Sequence, residues 1–185
     1  MIVAFTGPKG SGKTTAAKML GDYEIISFAA PLKKCLKDLF NFSDTQLTTY
    51  EGKEAIDPRY GVSPRVIMQK FGTEFVRKTV PGLWEKLLKD KIESDTSKNW
   101  AVDDCRFEAE AQLIRDMGGI VVHLLGRQAG EVHKKRWWER LFGHKSERGV
   151  KVRACDIVID NKCSMGELQE QLHKHNLMRG PNGRL

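Results

Sequence analysis

Long apolar runs are missing from this 185-residue chain, and no hydrophobic stretch approaches the roughly 20 residues that cross a bilayer. The N-terminus passes into an apolar strand pattern at Ile2 without a basic leader, so a soluble, cytoplasmic protein is expected. Cysteine is sparse. Cys35, Cys105, Cys155 and Cys163 form no C-x-x-C pair, which argues against a metal knuckle and a disulfide framework and fits a reducing compartment. Internal repeats are absent too, and the length suits one domain with its own core. Acidic residues are outnumbered, 24 against 31 basic, for a net charge of +7. The excess gathers in one place, since residues 127 to 153 hold nine basic side chains and three glutamates.

What is present begins with Gly7-Pro8-Lys9-Gly10-Ser11-Gly12-Lys13-Thr14, after the apolar run Ile2-Val3-Ala4-Phe5 and before an Ala-rich stretch. This spacing is that of a P-loop. Its glycines let the backbone turn N–H groups inward, so that loop and helix N-terminus make an anion cradle. Gly7, Lys9, Gly10, Ser11, Gly12, Lys13, Thr14 and Thr15 are the expected ATP-binding set. Lys13 also acts in catalysis by reaching the β and γ phosphates, and the Thr14 hydroxyl is placed to serve Mg2+, which prefers oxygen ligands. In that setting the basic segment reads as a lid over a triphosphate rather than as a nucleic-acid footprint.

Five short apolar strands alternating with helices predict an α/β fold, a doubly wound five-stranded parallel sheet. The first helix runs to about Leu20, and Glu24 to Phe28 is the second strand. Pro31 opens a helix with Leu32, Cys35, Leu36, Leu39 and Phe40 inward and Lys33 in its first turn. Residues 41 to 62 lack periodicity and read as a mobile loop on the substrate side. Ser63 and Pro64 start a helix to about Lys78, with Ile67, Phe71 and Phe75 as its core face and Arg65, Gln69, Thr73 and Arg77 as a polar stripe. Leu83, Trp84, Leu87, Leu88 and Ile92 suggest another, chiefly core, helix. Trp100 to Asp104 is a strand that turns abruptly acidic, and either Asp103 or Asp104 can stand opposite Thr14. Ile120 to Leu125 and Asp156 to Asp160 complete the sheet, and Ser164 with Glu167 is a capping box. Lys33, Asp104, Arg106 and Asn161 all follow strands, so they are expected around one site with the loop. The tail from Arg179 reads as disordered.

Taken together, Gly7 to Thr14, Phe28-Ala29-Ala30-Pro31-Leu32-Lys33, Ser63-Pro64-Arg65 with Gln69 and Gly72-Thr73-Glu74, Trp84, Asp104-Cys105-Arg106-Phe107 with Glu110, Gly118-Gly119 and His144-Lys145-Ser146-Glu147 resemble the bacteriophage deoxynucleoside monophosphate kinases over essentially the whole chain. The resemblance implies transfer of the γ-phosphoryl of ATP to a deoxynucleoside 5′-monophosphate, supplying DNA precursors. It makes residues 1 to 178 a single kinase domain, with an acceptor-binding insertion at 41 to 98 and the lid at 127 to 153. Lys33, Arg65, Gln69, Thr73, Arg77, Asp104 and Arg106 become ligands of the acceptor. Asp104 joins Thr14 at Mg2+, with Asp103 a second acid beside it. Arg127, Arg136 and Arg140 are the candidates for a catalytic lid arginine, and Asn161 falls where small kinases contact adenine. The partners implied are small-molecule nucleotides, with no membrane and no nucleic acid, and a homodimer is left open. Two rivals remain. A kinase for a small-molecule hydroxyl would need fewer arginines in its acceptor stripe, and an ATP-binding nucleic-acid protein would use Trp137 and Trp138 for stacking.

Overall fold

The computed structural model describes residues 1–126, 149–161 and 164–178. The lid arginines Arg127, Arg136 and Arg140, together with Trp137, Trp138, His144, Ser146 and the tail from Arg179, lie outside the described residues. The described chain divides into two compact units, one made of Met1–Ser27 with the chain from Leu88 onward, the other of Phe28–Leu87.

In the first unit β1 (Ile2–Thr6) is the central strand, because Val3, Ala4 and Phe5 are apolar on both faces and none reaches solvent. β2 (Tyr23–Ile26), β3 (Asn99–Val102), β4 (Ile120–Gly126) and β5 (Ile157–Asn161) join it in the order β2-β3-β1-β4-β5, every pairing parallel. The carboxyl ends of all five strands therefore lie along one edge, where ligands of open α/β sheets bind. On one face, α1 (Lys13–Met19) and the last helix, α9 (Met165–Lys174), cover Val3, Phe5, Val122, Leu124 and Ile159 with Ala16, Ala17, Leu168 and Leu172. Ser164 and Glu167 form the expected capping box at the start of α9.

Strand alternation sends Val121 and His123 to the other face, toward α8 (Glu108–Asp116). There Asp156 sits just before β5, not in it. Its carboxylate is fully buried, accepts from Arg115 Nε at 3.0 Å and Nη2 at 2.8 Å, and lies 2.8 Å from His123 Nε2. The Arg153 N–H adds a further bond at 2.9 Å. An acid that reads as part of a strand is thus a buried hub between α8, β4 and the segment ahead of β5.

The second unit is helical. α2 (Ala30–Phe40) buries Leu32 and Leu36, although Leu39 is exposed. The segment read as a loop instead contains α3 (Asp44–Thr48) and α4 (Tyr50–Glu54), capped by the side chains of Ser43 and Thr49. Beyond them Arg59 grips the buried Asp57 with Nε at 2.9 Å and Nη2 at 2.7 Å, and stacks on Tyr60. α5 (Pro64–Gln69) starts at Ser63 and Pro64 as expected, then widens into a π-helical segment (Lys70–Val76) before α6 (Arg77–Thr79). Each residue of a π turn advances by a smaller angle than in an α turn, so the apolar stripe drifts off the core. Phe75, expected inside, is 59% exposed, and Val62, Val66, Ile67, Lys70, Phe71 and Phe75 line an open apolar groove. Gly72 takes the inward position. A Cβ there would lie 2.5 Å from Leu32 Cδ2, and its carbonyl accepts from Trp84 Nε1 at 3.1 Å. Trp84 belongs to α7 (Leu83–Glu93), whose Leu87 is exposed while Leu88 and Ile92 are buried.

Candidate active site

The loop after β1 is built on three left-handed glycines, Gly7 at φ 146°, Gly10 at 78° and Gly12 at 90°. Two of them also admit close neighbours. A Cβ on Gly7 would fall 2.3 Å from the Leu124 carbonyl oxygen, and one on Gly12 would fall 2.6 Å from Asn161 Nδ2. No residue of the first turn of α1 is acidic. Lys13 folds its ammonium over the loop and donates to the carbonyls of Gly7 at 2.9 Å and Pro8 at 2.8 Å. Lys9 and Gly10 are exposed at the loop tip, Ser11 is buried, and Thr14 and Thr15 are exposed on α1.

β3 delivers two acids to the same edge. The carboxylate that accepts from Thr14 Oγ1, at 2.8 Å, is that of Asp103. Sequence spacing left Asp103 and Asp104 open and the family resemblance implied Asp104, which is half-buried one residue further on. The Asp103 N–H is tied to the Ile26 carbonyl at 3.3 Å, which continues the β2–β3 ladder one residue past the strand and fixes its direction. Next comes Cys105, a buried thiol whose pKa burial pushes up, so it is held neutral and inert. Glu110 then accepts from the Arg106 N–H at 2.8 Å and the Phe107 N–H at 3.1 Å, which caps α8 and sets the backbone beneath Arg106. From β5, Asn161 Nδ2 donates to the Ser11 carbonyl at 2.8 Å. The first unit thus gathers the loop, Thr14, Asp103 and Asn161.

Among the described residues no group of three or more His, Cys, Asp or Glu side chains could hold a metal by itself. Mg2+ keeps its waters and binds through one or two protein oxygens plus substrate phosphates. Thr14 and Asp103, 2.8 Å apart beside a glycine cradle, are such a pair.

In the second unit the polar stripe is half-buried along its length. Arg65 Nε meets Glu54 Oε1 at 3.1 Å, and Arg77 Nη1 is paired with Glu85 Oε1. These two carboxylates, from α4 and α7, escape a reading by spacing because they are distant in sequence from the arginines they orient. Gln69 and Thr73 lie between the arginines, and Lys33 is half-buried in the first turn of α2.

A parallel sheet with helices on both faces, carrying a glycine cradle closed by Lys13 and Thr14 at its central strand, defines an α/β protein of the P-loop type. Comparison with known proteins supplies the family. The family model for deoxynucleotide monophosphate kinases matches residues 53–172. A protein of Acanthamoeba polyphaga mimivirus, named "Putative deoxynucleotide monophosphate kinase", is 31% identical over 191 residues, covering 93% of this chain and 94% of its own. A solved sugar kinase of Janibacter sp. is similar over 95% of this chain and 94% of that one, at 17% identity and a TM-score of 0.48. The chain belongs to the deoxynucleotide monophosphate kinase family, and it is an enzyme that transfers a phosphoryl group to a deoxynucleoside monophosphate.

Proposed function

We propose that the phosphoryl donor is ATP with Mg2+, held by the loop and α1 of the first unit, and that the polar stripe of the second unit holds the acceptor. The observation that carries the donor side is the bond from Thr14 Oγ1 to Asp103 beside the glycine cradle. Gly7, Gly10 and Gly12 would offer the N–H nest, the Lys13 ammonium would pass from the loop carbonyls to the phosphates, and Thr14 with Asp103 would hold the cation. Bound Mg2+ supplies charge neutralisation on the phosphoryl oxygens.

On the acceptor side, Arg65 and Arg77 present guanidinium forks that suit a dianionic phosphate. Gln69 and Thr73 offer neutral donors and acceptors to the rest of the nucleotide, and Lys33 adds positive charge; in the first unit, Arg106 is a further cation beyond the end of β3. The attacking oxygen needs no general base, because the second pKa of a phosphate monoester is near ~6. These residues then act by alignment and charge neutralisation. Among the described residues no helix is long and apolar enough to cross a membrane. With the scattered cysteines, this supports a cytoplasmic site of action.

The test is ADP release from ATP and Mg2+ with a panel of deoxynucleoside and ribonucleoside monophosphates. Release that needs a deoxynucleotide is expected. Lys13→Ala lowers turnover by about 10²–10³-fold or more, the scale for losing one preorganised charge donor. Arg65→Ala raises the acceptor KM by about 10–100-fold, the worth of a charge-assisted hydrogen bond, and leaves the KM for ATP in place. Release stimulated equally by an alcohol acceptor, or a Lys13→Ala enzyme with undiminished turnover, defeats the reading.

A further inference from the structure

Asn161 closes β5 at the carboxyl edge of the sheet, opposite Gly126 of β4 in the ladder register. Its amide nitrogen turns back onto the loop. The Nδ2 group donates to the Ser11 carbonyl at 2.8 Å and occupies the space that a Cβ on Gly12 would need, 2.6 Å away. Gly126 presses on the same place, since a Cβ on it would lie 3.1 Å from Ser11 Cα. Ser11 itself is 1% exposed. Two adjacent strand ends therefore bear on one residue of the loop, Ser11.

There is a physical reason for a donor at this position. An anion nest works by turning successive N–H groups inward, which turns the intervening carbonyls outward, here into protein. A buried outward carbonyl needs a hydrogen-bond donor, or the loop gains by flipping that peptide and losing an inward N–H. Asparagine supplies the donor. An aspartate in its place presents only acceptors to the Ser11 oxygen, and an alanine presents nothing.

We propose that Asn161 is a positioning residue that holds the Ser11–Gly12 peptide in its anion-binding orientation, and that it does not read the base of the nucleotide. This rests on the reading of the loop as the triphosphate site. It predicts that Asn161 governs affinity for any polyphosphate, with or without a base.

The experiment is calorimetric titration of the full chain and its Asn161→Ala and Asn161→Asp variants with Mg2+ and inorganic tripolyphosphate, ATP or GTP. Thermal melting confirms that each variant is folded. Tripolyphosphate and ATP are expected to weaken by the same factor, about tenfold for alanine, the scale of one buried acceptor left unsatisfied, and further for aspartate. The ATP-to-GTP ratio and the acceptor KM stay as in the parent. Gly126→Ala pushes on Ser11 from the neighbouring strand, and should weaken tripolyphosphate in the same way even if the aspartate variant fails to fold. Unchanged tripolyphosphate affinity in Asn161→Ala overturns the proposal, whether or not base preference changes. If the unaltered protein binds neither tripolyphosphate nor ATP, the reading of the loop falls first and the inference with it.

Discussion

Asp156 shows how a single buried charge is made tolerable. Burial on its own raises a carboxyl pKa, but the bonds from Arg115, the Arg153 N–H and His123 more than offset it and hold Asp156 well below the usual carboxylate range. A lowered folded-state pKa means that the stabilisation is complete above the unfolded value, near ~4, and is lost as pH falls through that range toward the folded value. Asp156→Asn leaves Arg115 with Glu108 Oε1, at 3.2 Å, as its remaining counter-charge and should cost about 3 kcal/mol at neutral pH, the lower end for a broken buried pair. Urea titrations of the two proteins should differ by that amount at pH 7 and converge as the pH drops below about 4. A gap that stays constant into acid would show that the charge on Asp156 contributes nothing. At the loop, Gly7→Ala makes the opposite kind of change. Its added Cβ meets the backbone oxygen of Leu124 at 2.3 Å, which cannot swing aside as a side chain can. ATP binding should fall severely, by titration, while the sheet stays folded.

Among the elements, the π-helical segment is the one whose consequence was hidden from periodicity. Wide turns of this kind recur at functional sites, and here the turn sits in the middle of the polar stripe proposed to hold the acceptor. The bond from Trp84 Nε1 to the Gly72 carbonyl helps hold it. Trp84→Phe removes that donor and little else, so stability should drop by about 1–2 kcal/mol. If the segment positions Arg65 and Arg77, the acceptor KM should rise with no change in the KM for ATP; equal shifts in both would argue for a general loosening. The capped starts of α5 and α9 were legible, because Ser63-Pro64 and Ser164 with Glu167 are local signals that act within one turn. α3 and α4 were not, since helices of five residues are too short to show a period. Their traces are two caps, Ser43 with Gln46 in a capping box and Thr49 ahead of α4.

At the scale of the molecule, both units carry carboxylates held below their ordinary values. In the second unit Asp57 is lowered first by its bond to Arg59, and in the first unit Asp95, Glu108 and Asp156 are lowered as well. With a net charge of +7 already at pH 7, protonating these groups adds like-charge repulsion to the loss of their bonds. The urea midpoint should therefore fall steeply below about pH 4, and added salt should recover the repulsive part only, because it screens exposed charge and leaves buried pairs largely untouched.

The sequence by itself determined the phosphate loop, the alternation of strand and helix, and the family, because each is written in neighbouring residues or in blocks of fixed spacing. Even the polar stripe at 65, 69, 73 and 77 was visible, since it follows one helical period. Tertiary structure decided the choices between near equals. Asp103 and Asp104 are adjacent and chemically alike, and only the ladder bond that extends β3 turns the first toward Thr14. Asn161 could have faced a ligand, and only the packing of two strand ends brings it onto the loop. Phe75 has the spacing of a core residue, and a single wide turn carries it to the surface. In each case the local pattern permits several directions for a side chain, and contacts with residues distant in the chain select one.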